Sequence, residues 1–94
     1  MPYEFESNLE KANSNLSKHK VSFEEAVTVF DDPFALIEPD IEHSLGEERG
    51  RVVGFSHKAR VLVVSYTERG DRVRIISARQ ATKKERRGYA NAER

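Results

Sequence analysis

Cysteine and tryptophan are absent from the 94 residues of the chain, and methionine occurs only once. A chain without cysteine forms neither disulfide bonds nor thiolate metal sites. The sequence also shows no secretory signal peptide and no apolar run long enough to span a membrane. These absences indicate a soluble protein, which we expect to be cytoplasmic, and the length predicts one domain over residues 1–94.

The formal net charge is zero, but the charges are unevenly distributed. Residues 1–48 carry twelve Asp and Glu against three Lys and Arg, whereas residues 49–94 carry thirteen Lys and Arg against four Asp and Glu. This asymmetry fits two interpretations. The basic half forms a surface for a polyanion, or the two halves neutralise each other within the fold.

The second half of the chain predicts a β-hairpin. Val61–Thr67 and Val73–Ala78 are rich in β-branched and aromatic residues, and Gly70 between them is able to take a positive φ. Symmetric pairing around the turn predicts that Val61 faces Arg79 and Tyr66 faces Arg74. Arg74 then shares a sheet face with Tyr66, unless a bulge shifts the register.

Helices are predicted on both sides of the strands. Asn8–His19 begins with a capping residue, and Ser22–Phe30 begins with an S-x-x-E capping box. Thr82–Ala92 begins with a T-x-x-E capping box. The predicted apolar stripe of the first helix is Leu9, Ala12, Leu16 and His19.

The remaining segments complete a mixed architecture. Tyr3–Glu6 alternates as in a short edge strand, and Phe34–Glu38 and Arg51–Ser56 are predicted strands. We interpret the polar stretch Ile41–Gly50, with His43 and Ser44, as an active or partner-binding loop. Short links between consecutive strands favour antiparallel pairing. The prediction is a single compact α+β domain, an antiparallel β-meander with two N-terminal helices and a C-terminal helix.

A collinear series of short motifs covers nearly the whole chain. It includes Lys18-His19, Val21–Ala26, His43-Ser44 and Arg74–Arg79. In this order and spacing the motifs resemble the BrnT family, the toxin halves of bacterial type II toxin–antitoxin pairs. The resemblance implies a RelE-like fold, ribonuclease activity that inhibits translation, and a BrnA-like antitoxin partner through which DNA is contacted indirectly.

The chain departs from the family pattern at three positions. Ser7-Asn8 stands where the family usually has W-D, and Lys20 stands where K-H is usually followed by Gly. Asn8 retains the ability to cap a helix, whereas Lys20 at a left-handed helix end costs on the order of 1 kcal/mol. These departures leave open an alternative function: a catalytically inactive member that only binds its antitoxin and contributes to operon regulation.

Cleavage of RNA without a metal needs a base for the 2′-hydroxyl, positive charge for the transition state and an acid for the leaving 5′-oxygen. Guanidinium groups suit the phosphate, and His19 and Glu48 are candidate proton carriers. Two structural alternatives compete with these roles: His19 satisfied at a helix end, and Arg79 paired with Glu85. The candidate catalytic residues are His19, Glu48, Arg60, Arg69, Arg74 and Arg79.

The last helix contains little apolar area and is marginal without a partner. We predict that the antitoxin covers its basic face together with the hairpin, although Tyr89 also has a structural alternative, the docking of this helix. The three histidines lack ligand spacing, so we predict no metal site and no cofactor. The candidate partner-binding residues are Lys83, Lys84, Arg86, Arg87 and Tyr89.

Overall fold

The elements of the fold follow the predicted order. The computed structural model describes residues 4–41 and 48–92, so Tyr3 and the predicted His43-Ser44 loop motif lie outside the described residues. A single 3₁₀ turn, Val29–Asp31, extends the second helix. The elements are β1 (Glu4–Glu6), α1 (Leu9–His19), α2 (Phe23–Thr28), β2 (Leu36–Pro39), β3 (Arg49–Phe55), β4 (Val61–Arg69), β5 (Arg72–Gln80) and α3 (Lys83–Asn91).

The strands form one five-stranded sheet in the order β1-β5-β4-β3-β2. Strands β2 to β5 pair antiparallel with their sequence neighbours, which confirms the predicted meander. Strand β1 pairs parallel with the start of β5, from Glu4 opposite Arg72 to Glu6 opposite Arg74, so the sheet is mixed. The predicted α+β class with two N-terminal helices and a C-terminal helix is confirmed.

The sheet has an inner face under α1 and α2 and an outer face that α3 covers at one end. Apolar side chains of β4 lie on both faces, because Leu62 and Val64 belong to the inner core while Val63 packs on the outer face with Tyr89 of α3. This agrees with the sequence of β4, in which apolar residues occupy both alternating sets of positions, as in a strand that is covered on both faces. The inner core consists of Val21, Phe23, Ala26, Val29, Val52, Leu62, Val64, Tyr66, Val73, Ile75 and Ala78.

The register predicted for the β4–β5 hairpin is wrong. Val63 faces Arg79 and Thr67 faces Arg74, and the register shifts between Ser65 and Tyr66 because β5 has a bulge there. The turn has only two residues, and its Gly70 takes a φ of 63°. Since neighbouring residues of a strand point to opposite faces, Arg74 lies on the outer face and not beside Tyr66.

The apolar stripe predicted for α1 is also wrong at two positions. Leu9 is 75% exposed and Leu16 is 49% exposed, whereas the polar Asn15 is buried. The Asn15 amide donates to the carbonyls of Val21 and Ala78, at 2.8 Å each, and accepts from the backbone N–H of Ala78 at 3.0 Å. Because β1 pairs with β5 only as far as Arg74, Asn15 supplies the hydrogen bonds that the β5 edge would otherwise lack.

Local capping follows the sequence closely. Asn8 accepts a hydrogen bond from the N–H of Lys11, and Lys20 ends α1 in the left-handed region with a φ of 59°. Thr82 forms the full predicted capping box. Ser22 caps α2, but the side chain of Glu25 forms a different contact, described below. No helix in the described ranges is long and apolar enough to cross a membrane.

Candidate functional site

Three arginines of the central strands lie on the outer face of the sheet. Arg49, Thr67 and Arg74 form one row across β3, β4 and β5, because Thr67 is opposite both arginines. Arg51 lies on the same face one row further along β3 and is opposite Ser65. Directly opposed residues have Cβ atoms about 5 Å apart. The guanidinium groups therefore surround Thr67, and we call Arg49, Arg51, Arg74 and Thr67 the arginine row.

Three buried polar atoms of Arg51, Arg74 and Thr67 have no hydrogen-bond partner among the described residues. Thr67 is 1% exposed, yet its Oγ1 makes no hydrogen bond, and the Nε atoms of Arg51 and Arg74 are buried and likewise unbonded. A buried polar group without a partner costs about 1–3 kcal/mol. The exposed parts of the Arg51 and Arg74 side chains are the donors that an anion with several acceptor oxygens would contact.

Carboxylates lie beside Arg51 and Arg74 at distances too long for close ion pairs. Glu6 Oε1 is 3.5 Å from Nε of Arg74, and Glu38 Oε2 is 3.9 Å from a terminal nitrogen of Arg51. These contacts are long, and the side chains of Arg51 and Arg74 are 42% and 41% exposed. Such pairs contribute at most about 1 kcal/mol. Arg51 and Arg74 therefore remain available to an anion, and a carboxylate lies beside each of them.

Arg60 lies apart from the arginine row and is paired with a buried acid. Its Nε donates to Oε2 of Glu25 at 2.9 Å, a second nitrogen contacts Oε1, and Ser56 Oγ donates to the same carboxylate at 2.6 Å. Glu25 is fully buried. The Arg60 hydrogen bonds lower the pKa of Glu25 against the opposing effect of burial, and Glu25 in turn raises the pKa of Arg60. This geometry gives Arg60 a structural role that joins α2 to β4.

Arg79 is held by Glu85, the structural alternative considered from the sequence. Two nitrogens of Arg79 donate to the two carboxylate oxygens of Glu85 at 2.7 Å and 3.0 Å. The Arg79 hydrogen bonds lower the pKa of Glu85 to about 2, and Glu85 raises the pKa of Arg79. The pair links the end of β5 to the first turn of α3. Arg79 lies on the same sheet face as the arginine row, but its guanidinium fork is already engaged.

The other predicted catalytic residues are dispersed. His19 lines a cleft between α1 and β5, and Glu48 is exposed beside a cavity of about 390 Å³ that its neighbour Arg49 also lines. Arg69 is next to the β4–β5 turn, opposite Arg72. Of the six candidates, only Arg74 belongs to the arginine row. Roles for the other five remain predictions.

The candidate catalytic residues predicted from the sequence do not include Arg49, Arg51, Thr67 or Glu6. The predicted third strand started at Arg51, two residues after its true start at Arg49, so Arg49 was assigned to the preceding loop. The alternation of Arg49 and Arg51 was the signal that could have located the site. In an extended strand such alternation places both side chains on one face.

The candidate partner residues lie on α3 as expected. Tyr89 is half-buried, packs on the outer-face apolar cluster and donates a hydrogen bond to Asp32, so it docks the helix. Arg86 is exposed and donates one hydrogen bond to the carbonyl of Ala81. Lys83, Lys84 and Arg87 are also exposed. The basic surface of α3 is therefore accessible, and its use by a partner remains a prediction.

Comparisons with known proteins agree with one another. The family model described as ribonuclease toxin, BrnT, of type II toxin-antitoxin system matches residues 8–85, most of the chain. The 1.1 Å crystal structure of the Brucella abortus ribonuclease toxin, BrnT, is similar with a TM-score of 0.68 and 18% sequence identity, over 86% of this chain and 99% of that one. At this identity the likeness establishes the fold alone. No curated protein sequence matches the chain.

Proposed function

Because the chain belongs to the BrnT family of ribonuclease toxins of type II toxin–antitoxin systems, we propose that it is a metal-independent endoribonuclease that inhibits translation. The observation that carries this proposal is the arginine row around the buried, unbonded Thr67 hydroxyl. The RNA substrate places the activity in the cytoplasm, and a BrnA-like antitoxin neutralises it.

The arginine row binds the scissile phosphate. Guanidinium groups form paired hydrogen bonds to phosphate oxygens, and they carry the positive charge that the more negative transition state requires. Arg49 and Arg74 approach from the strands on either side of the buried Thr67. Loss of one such donor typically costs about 3 kcal/mol, which is two to three orders of magnitude in rate.

Glu6 is the proton acceptor in this proposal. Its carboxylate is 28% exposed and lies 3.5 Å from Arg74, so it is next to any phosphate that Arg74 binds. The 2′-oxygen of the RNA loses its proton to Glu6 and attacks phosphorus, and the bond from phosphorus to the 5′-oxygen breaks. The arginine row is open to solvent, and water protonates the leaving oxygen.

The antitoxin is expected to bind the basic face of α3. Lys83, Lys84 and Arg87 are exposed there, and α3 covers one end of the sheet face that carries the arginine row. A partner with acidic and apolar residues at this surface would also occlude the arginine row. Hydrogen exchange with and without the partner tests this expectation. Protection is expected from Arg69 to Ala92, and protection confined to residues 1–48 would contradict it.

Expression of the chain alone in bacteria tests the activity. Growth arrest with fragmented RNA is expected, and purified protein should cleave RNA in the presence of a chelator. Arg74→Ala should lower the cleavage rate by two to three orders of magnitude while the protein stays folded. Lys58→Ala removes an exposed charge in the β3–β4 turn, away from the arginine row, and serves as the matched control.

Two results would contradict the proposal. If the folded wild-type protein leaves growth and RNA intact, the chain is the catalytically inactive, antitoxin-binding member of the family. If Arg74→Ala and Lys58→Ala cleave RNA equally well, the arginine row is not the reaction site.

A further inference from the structure

A basic cleft runs between α1 and β5, outside the arginine row. Its volume is about 240 Å³, and its lining includes Lys11, Lys18 and His19 with the hydroxyl groups of Ser14 and Ser77. The residues that α1 contributes recur at three, four, seven and eight positions from the first, so they lie on one side of the helix. The side of α1 that faces the β5 edge is therefore polar and basic.

The charge of this cleft is not compensated. Within residues 4–41 and 48–92 no carboxylate lines it, and neither Lys11 nor Lys18 forms an ion pair through its ammonium group. This distinguishes the two lysines from Arg60 and Arg79, whose guanidinium groups are bound to glutamates. A concave surface lined by positive charge alone attracts anions.

The walls of the cleft are held in place by the fold. Asn15, between the two lysines on α1, is buried and bonded to the backbone of Ala78 on β5. The bulge in β5 lies beside Ile76 and Ser77, which form the opposite wall. Hydrogen bonds within the protein therefore fix the distance between α1 and β5, and the cleft is already formed before a ligand binds.

The cleft opens towards the arginine row. Ser77 lines the cleft, and as the partner of Ser65 it also belongs to the outer face of the sheet. Ser77 is three residues from Arg74 on β5, which is about 10 Å along an extended strand. Strand β1 ends opposite Arg74, so it does not cover the β5 edge at Ser77.

We propose that this cleft binds backbone phosphates of single-stranded RNA on one side of the phosphate held by the arginine row. The inference rests on the proposed function, because that function supplies the first phosphate. Among the described residues no Phe, Tyr or Trp lines the cleft, so phosphate contacts from Lys11 and Lys18 dominate there and the contact depends little on sequence. The path turns from a sheet face over its edge, which suits a flexible strand and not a stiff duplex.

The salt dependence of RNA binding tests the proposal without any cleavage. The probe is a 2′-O-methyl oligoribonucleotide of mixed sequence, which lacks the attacking hydroxyl. For single strands the slope of log affinity against log salt is about −0.7 per phosphate contact. Lys11→Gln/Lys18→Gln should therefore reduce the slope by about 1.4, a loss of roughly 65-fold in affinity at 50 mM salt if the affinities agree at 1 M.

Lys20→Gln/Lys58→Gln is the charge-matched control, since both lysines are exposed and neither lines the cleft. It should leave the slope within a few tenths of the wild-type value. Equal slopes for the wild type and the cleft variant, or an equal decrease in the control, would overturn the proposal. All four lysines are exposed, so the melting temperatures of both variants should match the wild type.

A second measurement separates this inference from the proposed function. Cleavage of a dinucleotide, which is too short to reach the cleft, should be unchanged in the cleft variant. If dinucleotide cleavage also collapses, the cleft is itself the reaction site and the assignment of a flanking site is wrong. If the wild type cleaves nothing but its RNA affinity still depends on Lys11 and Lys18, the proposed function fails while the binding cleft is upheld.

Discussion

Replacing Arg60 should destabilise the protein severely, because it would leave a charge in the core without its partner. Glu25 is fully buried, and its carboxylate accepts hydrogen bonds from Arg60 and Ser56. Removing one member of a buried ion pair typically costs 3–5 kcal/mol. The total stability of a small domain is about 5–15 kcal/mol, so Arg60→Met should lose a large part of it.

The pH dependence of this loss provides a second readout. In the wild type the pKa of Glu25 is lowered, so the stability that the pair contributes is present above the ordinary pKa of 4.5 and is lost as the pH falls through the lower folded value. In Arg60→Met, burial acts on Glu25 without the arginine and raises its pKa. The deficit of the variant should therefore be largest near pH 7 and shrink as the solution is acidified.

Urea unfolding at pH 7 and pH 4.5 measures both effects. The double variant Glu25→Gln/Arg60→Met removes the charge from the core and should recover much of the stability lost in Arg60→Met. If Arg60→Met unfolds within 1 kcal/mol of the wild type at pH 7, the pair does not hold α2 on the sheet. If the variant keeps its stability but loses RNA cleavage, the catalytic role predicted for Arg60 from the sequence would replace the structural one.

Two further predictions concern the ends of helices. Glu85, whose pKa is lowered to about 2, should contribute stability above about pH 4.5 that is lost as the pH falls towards 2, by at most about 1–2 kcal/mol because the pair with Arg79 is partly exposed. Glu85→Gln should remove this part of the acid unfolding curve, and an unchanged curve would contradict the assignment. Lys20→Gly should stabilise the protein by on the order of 1 kcal/mol in urea, because Lys20 holds a left-handed φ of 59° that glycine adopts without strain. Lys20→Ala is the control without this gain, and equal stability of the two variants would refute the reasoning.

Features that depend on neighbouring residues were predictable from the sequence. The capping box of Thr82 and Glu85, the Asn8 cap and the left-handed Lys20 all involve contacts within four residues. The hairpin with its turn at Gly70 is equally local. Short-range hydrogen bonds and φ preferences determine such features before any packing occurs. The order of elements followed from them, and so did the α+β class.

The composition of the candidate site depended on contacts that no short stretch encodes. The bulge in the middle of β5 moved Arg74 to the outer face, and a shift of one residue is enough to reverse every side chain of a strand. The positions of Arg49 and Thr67 in one row follow from pairing between distant segments.

The sequence by itself determined the local elements, their order and, through the order of its motifs, the family resemblance. Only the tertiary structure decided which charges are engaged: Arg60 with Glu25, 35 residues away, and Arg79 with Glu85, while Arg51 and Arg74 form only long ion pairs and stay partly exposed on the outer face. The physical reason is that the distance between two charged side chains and their burial determine which ion pairs form. Both are set by the register of the sheet and the packing of helices on it, and neither is a property of the residue type.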